Sequence, residues 1–361
     1  KTKELIMIKK IITLSAVCSV VLCNTLTANA VDFNISDFDI MESQLYQGTD
    51  IKSPDEIPVN DSIQNLSRNV IKVMIDPGHY GKYNQSPVYA PYWESEMTWK
   101  LSNYLQTELQ ELGVHADLTK HSLDEDPELN DRGFASKGYD FFVSMHSNAG
   151  SSSSDQPLAI VYQDLEWTTI DDTSKEIGQL LATTVEKVME TNQKGIIYQR
   201  KGTEDWDRNG VLDDEWYSVL FGSRFVGTPG ILLEHSFHTN YRSTLWLYDD
   251  NNLKKLAKEE ASVIFEYFNE KKLAEMPEDI LLGDVNLDNI VDASDASCVL
   301  EEYATLSIGK KGTFNDRLKE TGDINKDGAI DSSDASEILE FYAYASTQTE
   351  ETDMQMWLQN K

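Results

Sequence analysis

Polar side chains of the kinds that hydrolyse bonds stand at the ends of three apolar runs. His79 closes the stretch NVIKVMIDPGH, His146 falls late in YDFFVSMHSNAG, and Glu234 with His235 comes near the end of GILLEHSF. Runs of this kind read as buried strands, and two imidazoles at adjacent strand tips are either packing groups or ligands. Two histidines and one carboxylate, with a fourth position open, make a common catalytic zinc shell. The carboxylate is available at the start of an amphipathic stretch, where Glu94 and Glu96 both stand. Below Glu94, the side chains Trp99, Leu101, Leu105 and Leu109 form a roughly continuous apolar stripe, which favours Glu94 and leaves Glu96 as the alternative. Successive strand residues face opposite ways, so of Glu234 and His235 one belongs to chemistry and the other to packing. His115 and His121 flank the strand VHADLTK away from other ligand-like groups and read as surface or edge imidazoles.

These groups need a frame that gathers them. Strands are expected over NVIKVMIDPGH, VHADLTK, YDFFVSMHSNAG, 157 to 163 and 230 to 235, with helices over about 94 to 112, 172 to 192 and 252 to 271. Strand and helix in alternation predict an α/β layer, a mostly parallel sheet flanked by helices on both faces. In such sheets active groups collect beyond the carboxyl ends of the strands, where His79, His146 and Glu234 are expected.

Beyond Pro277 the pattern changes to a duplication. GDVNLDNIVDASDASCVLEEYA from 283 and GDINKDGAIDSSDASEILEFYA from 322 agree at 13 of 22 positions, too many for chance. Each repeat places side-chain oxygens at positions 1, 3, 5, 9 and 12 of a twelve-residue loop: Asp284, Asn286, Asp288, Asp292 and Asp295, then Asp323, Asn325, Asp327, Asp331 and Asp334. That spacing wraps hard oxygen ligands around calcium, with the position-7 carbonyl of Ile290 or Ala329 completing the shell. Gly328 supplies the sharp turn at position 6, and Asn289 takes that place in the first loop. A calcium sensor would carry a full helix before each loop and usually Glu at position 12, whereas both loops here end in Asp.

Residues 282 to 345 resemble a type I dockerin, a small all-α calcium-loop module that docks enzymes onto cohesin domains of a scaffolding protein. The resemblance implies two structural calcium ions, and it implies that positions 10 and 11 of the loops, Ala293, Ser294, Ser332 and Ser333, help choose the cohesin. Upstream, DPGHYG, a Glu opening a helix, DFFVSMHSNAG and PGILLEHSFHTN, in that order, resemble the zinc-dependent N-acetylmuramoyl-L-alanine amidases over about residues 69 to 271. Carried over by position, His79, Glu94 and His146 are the zinc ligands and Glu234 is the catalytic acid/base, which leaves His235 a structural role. The substrate so implied is peptidoglycan, cut between the lactyl group of N-acetylmuramic acid and the first L-alanine of the stem peptide. Around these motifs the chain departs from the family, with Ser236-Phe237 where Gly-Phe is usual and a shortened Arg132 segment with Ala135-Ser136. Two other readings of the same residues are a zinc peptidase or deacetylase, and a non-catalytic wall-binding subunit of a scaffold.

The remaining stretches set compartment and boundaries. Lys9 and Lys10, the apolar run 11 to 23 and Ala28-Asn29-Ala30 read as an export signal over 1–30, so a secreted or cell-surface protein without a membrane span after its removal is expected. Cys298 is then the one remaining cysteine, which leaves no internal disulfide. A polar lead-in over 31–68, a catalytic domain over 69–272, a linker over 273–281, the dockerin over 282–345 and a polar tail over 346–361 complete the division. Net charge of −31 disfavours nucleic acid and anionic membranes as partners and suits a calcium-binding chain. The acidic stretch EDWDRNGVLDDEW, 204 to 216, imitates a third calcium loop through position 9 but carries Trp216 at position 12.

Overall fold

The computed structural model describes residues 53–64, 66, 70–162, 169–200, 217–309, 311–348 and 352–361. The expected export signal, most of the lead-in and the acidic stretch at 204 to 216 lie outside the described residues. Six strands form one sheet: β1 (Lys72–Pro77), β2 (His115–Leu118), β3 (Phe141–Asn148), β4 (Leu158–Val161), β5 (Ile196–Tyr198) and β6 (Gly230–Phe237), in the order β2-β1-β3-β6-β4-β5. All neighbouring pairs are parallel except β4 with β6, which run antiparallel.

The helices are α1 (Glu94–Glu111), α2 (Leu129–Phe134), α3 (Thr169–Met189), α4 (Ser218–Phe225), α5 (Tyr241–Tyr248) and α6 (Asp250–Glu275), followed by α7 (Ala293–Ser307), α8 (Asp316–Gly322), α9 (Ser332–Ala345) and α10 (Met354–Asn360). One core covers one sheet face, where Val73, Ile75, Phe141 and Leu233 meet Leu101, Leu105 and Leu109 of α1, Leu181 of α3 and Ile264 of α6. The opposite face, bearing Met74, Phe142, Ile160 and Leu232, packs against Val219 and Leu220 of α4. Burying each such aliphatic side chain is worth about 1.5–3 kcal/mol, so both faces hold their helices firmly. On that second face α2 and α4 approach closely because Gly133 and Gly222 meet there; a Cβ on Gly133 would lie 2.4 Å from the Val219 carbonyl oxygen. The close approach presents Arg132 of α2 to the interior.

Sheet and flanking helices agree with the class read from the sequence, and so does the small helical domain at the C-terminal end. Within it α7 and α9 pack around a second core containing Val299, Ile338 and Phe341. Three details differ from expectation. The stretch 252 to 271 read as one helix is α6, which reaches Glu275, three residues into the expected linker, and Met276 after it is buried in the second core. Trp99, placed in the apolar stripe of α1, is half-buried, and Met97 takes its place in the core. Part of the polar tail is α10, whose Met354 is buried and whose Trp357 meets Phe341 edge-on at 5.8 Å.

Candidate metal centre and active site

His79, Glu94 and His146 come together at the carboxyl end of β1 and β3, each offering a ligand atom within 4.8 Å of the others. Glu94 opens α1, where the helix field favours a negative charge, and Glu96 takes no part in the cluster. Glu94 Oε1 lies 3.1 Å from His146 Nδ1, and its Oε2 lies 3.4 Å from His79 Nε2. Tetrahedral zinc with bonds of about 2.0–2.1 Å has ligand-to-ligand edges of about 3.3 Å, close to these two carboxylate-to-imidazole separations. The two imidazole rings stand edge-on, 4.9 Å apart, and Tyr83 stacks on His79 at 4.7 Å.

The surroundings fix these groups. Asn84 Nδ2 donates to Glu94 Oε2 at 2.8 Å, and the Ser147 amide donates to Oε1 at 2.8 Å. Burial opposes the Glu94 carboxylate, yet His79 and His146 outweigh it and hold its pKa well below the usual carboxylate range. Gly78 leaves the room that the His146 ring occupies, since a Cβ there would lie 2.4 Å from His146 Cε1. His79 itself sits at φ 59°, a left-handed conformation uncommon for a non-glycine residue. The buried Lys120 ammonium donates to the His79 carbonyl, and Thr98 Oγ1 donates to the Gly78 carbonyl at 2.7 Å. Burial, with Arg132 nearby, brings the Lys120 pKa down to about 8.

Glu234 of β6 pairs in register with His146 of β3, which puts both on one sheet face. His235 points to the other face, where Nε2 lies 2.9 Å from Glu260 Oε1 of α6 and Nδ1 donates to the His146 carbonyl at 2.9 Å. The pleat thus puts the carboxylate on the sheet face that bears His146 and sends the imidazole into packing. Next comes Ser236, at φ 93°, a conformation that glycine adopts without strain and a serine does not.

Four neighbours carried no sequence signal of a role. Asn84 lies in an irregular loop. His238 Nδ1 donates to the Ser147 carbonyl at 2.8 Å and lies 3.7 Å from Glu94 Oε2, while Tyr92 and Ser147 hydroxyls meet at 2.7 Å. Burial, with Glu94 and Glu234 close by, pushes the Tyr92 phenol well above its ordinary value and keeps it a neutral hydroxyl. Beneath the site, Asp76 is buried beside Arg132 at 3.8 Å and accepts from Thr119 and Ser144. Away from the cluster, His115 pairs with Asp117 at 2.9 Å on the edge strand β2, and the described contacts of His121 put it in an exposed turn.

In the C-terminal domain both loops fold alike. Asp295 Oδ1 accepts the Val285 and Asn286 amides and Asp334 Oδ1 accepts those of Ile324 and Asn325, so the position-12 carboxylates close their loops inward. Position 6 is left-handed in both, at φ 68° for Asn289 and 86° for Gly328. Burial raises Asp295 to about 6 and also raises Asp284 and Asp334, as expected where acidic oxygens are gathered for a cation. Ala293, Ser294, Ser332 and Ser333 are all exposed at the starts of α7 and α9. The Cys298 thiol is free and pushed up to about 11 by burial, which makes it unreactive.

A sheet with helices on both faces carries at its strand tips a His-Glu-His cluster that could hold a metal ion, the frame of a hydrolase. Residues 73–266 match the profile of the N-acetylmuramoyl-L-alanine amidase family, and the chain belongs to that family. Residues 282–340 match the type I dockerin domain. Among solved structures, an N-acetylmuramoyl-L-alanine amidase from Clostridium difficile 630 is 21% identical with a TM-score of 0.46, the match covering 56% of this chain and 99% of that one. The catalytic domain of CwlV from Bacillus (Paenibacillus) polymyxa var. colistinus is 20% identical with a TM-score of 0.43, covering 55% and 99%. No curated protein matches. Among the described residues no helix is long and apolar enough to cross a membrane.

Proposed function

We propose that this chain is a secreted, zinc-dependent amidase that cleaves the bond between N-acetylmuramic acid and L-alanine in peptidoglycan while its dockerin holds it to a cohesin-bearing scaffold. The observation that carries the reading is the His79, Glu94 and His146 cluster with Glu234 in register beside His146. The catalytic domain is taken as 69–272 and the dockerin as 282–345. His79, Glu94 and His146 would hold the ion, which when bound supplies an activated water and polarisation of the scissile carbonyl. Glu234 accepts the proton that the water loses as its oxygen bonds to the lactyl carbonyl carbon. The same carboxyl returns that proton to the leaving nitrogen as the carbon–nitrogen bond breaks with its electron pair going to nitrogen. The products are a lactyl carboxylate and a stem peptide with a free L-alanine amine. Asn84 and the Ser147 amide hold Glu94 in place, and Tyr92 and His238 wall the side of the site.

In the dockerin, Asp284, Asn286, Asp288, Ile290, Asp292 and Asp295 would hold one calcium ion, and Asp323, Asn325, Asp327, Ala329, Asp331 and Asp334 a second. Ala293, Ser294, Ser332 and Ser333 would face the cohesin. Glu234→Gln tests the division of labour, since it should retain one zinc per chain by metal analysis while hydrolysis falls about 100- to 10,000-fold, the usual worth of general acid–base catalysis. Loss of zinc in that variant, or hydrolysis unchanged by it, would overturn the assignment.

A further inference from the structure

We infer that the dockerin of this chain is docked rigidly on its catalytic domain, at the pole opposite the metal cluster, through the segment Lys311 to Arg317 between the two calcium repeats. The joint begins in α6. Lys272 Nζ still bonds Asp140 Oδ1 of the catalytic domain at 3.0 Å, while the next residue, Leu273, already packs against the dockerin core. No free linker separates the two. Met276 is buried in that core, Asn315 Nδ2 lies 3.2 Å from its sulfur, and the Arg317 guanidinium donates to the carbonyls of Pro277 and Glu278. The chain leaving α6 is therefore clamped by the dockerin itself.

A second set of contacts bridges the same two bodies through residues distant in sequence. Lys311 Nζ stands 3.8 Å from the centre of the Phe265 ring of α6, a favourable cation–π arrangement. The backbone from Lys311 to Thr313 passes Gly113 at the end of α1, close enough that a Cβ on Gly113 would meet the Lys311 carbonyl oxygen at 3.4 Å and Thr313 Cγ2 at 3.5 Å. From the dockerin side, the buried Glu302 of α7 holds this loop, accepting from the Thr313 amide at 2.6 Å and its hydroxyl at 2.9 Å. A cleft of about 340 Å³ lies in the seam, bounded by Ile71, Leu112 and Phe265 on one side and by Thr313 and Phe314 on the other. Two separated attachments, one along α6 and one at Gly113, remove the hinge that either alone would leave.

The location follows from α1, whose 18 residues run from Glu94 at the cluster to Glu111 beside the seam, a span of about 27 Å at the helical rise. A scaffold bound to the dockerin, which rests on the cohesin reading above, would then hold the active site at a fixed distance and facing. Double electron–electron resonance tests the joint without any cohesin, so its failure leaves the dockerin reading standing. Labels go at Thr107→Cys of α1 and Glu301→Cys of α7, in the calcium-loaded chain from Val31 onward with Cys298→Ser. A single narrow distance distribution is expected. Lys311→Glu combined with Arg317→Ala should broaden it at least twofold, with hydrolysis of soluble muropeptide unchanged and two calcium ions still bound. A broad distribution in the parent chain overturns the rigid joint, and a narrow one surviving both substitutions overturns the role of the Lys311 to Arg317 segment.

Discussion

Gly78→Ala adds one methyl group at the point where the DPGH turn passes under His146. The new Cβ would lie 2.4 Å from His146 Cε1, 2.5 Å from Nε2 and 2.6 Å from the Met145 carbonyl oxygen, where ordinary contact begins at 3.4 Å. Each approach is thus about 1 Å too short. The Met145 carbonyl cannot yield without loosening the bond it accepts from the Gly78 amide at 3.1 Å and the pairing of β1 with β3. The imidazole must move instead, and it is a side chain assigned to the metal. Displacing a reacting group by about 1 Å costs on the order of 100-fold in rate, and overpacking a buried site costs about 1–3 kcal/mol. The expected outcome is a folded variant, a few degrees less stable by circular dichroism, with zinc affinity reduced in competition with a chromophoric chelator and kcat/KM on muropeptides down about 100-fold or more. Wild-type zinc affinity and turnover in a folded variant would refute the placement of His146 over Gly78 as a ligand.

Arg132→Met should cost about 3–5 kcal/mol at neutral pH, because Asp76 would be left buried without its counter-charge, and denaturant unfolding reads the loss. Burial alone raises the Asp76 carboxyl, but Arg132 and the hydroxyls of Thr119 and Ser144 outweigh it and hold it below the usual range. Its stabilising effect in the parent chain is therefore present above about pH 4 and fades as pH falls further, and the variant's deficit should shrink in acid. In the dockerin the sign is opposite. Asp295 is raised to about 6 without calcium, so its protonated form favours the folded loop at low pH and that contribution is lost as pH rises through about 6. Calcium binding near pH 6 should release protons, measurable by calorimetry in buffers of different ionisation enthalpy, and equal heats in those buffers would count against it.

Much of the frame was legible because buried strands and an amphipathic helix leave strong periodic signals. The run closing at His79 and the runs carrying His146 and Glu234 became β1, β3 and β6, and the Leu101, Leu105 and Leu109 stripe became the buried face of α1. Short elements were not legible: β5, α2 and α4 have too few residues to show a period, and α5 is separated from α6 by the single residue Asp249. The strand expected at 157 to 163 is β4, but its antiparallel direction was not legible, because direction depends on where the chain crosses the sheet, which composition does not encode. At the site, the strand-tip residues could be picked out by type, while Asn84, Tyr92, Ser147 and His238 reach Glu94 or each other only through loop and register geometry. The repeat told of two calcium loops through its spacing. Nothing in the sequence showed that the chain would have no slack between α6 and the dockerin, since that depends on Met276 finding a pocket in the second core.

End-group analysis of purified peptidoglycan digested by the zinc-loaded enzyme addresses the central claim most directly. With His79, Glu94, His146 and Glu234 acting as described, new free amines should belong to L-alanine at the head of the stem peptides, the glycan strands should remain intact, and Glu234→Gln should release those amines about 100- to 10,000-fold more slowly. New reducing sugar ends, released acetate, or free amines confined to residues beyond the first alanine would contradict it.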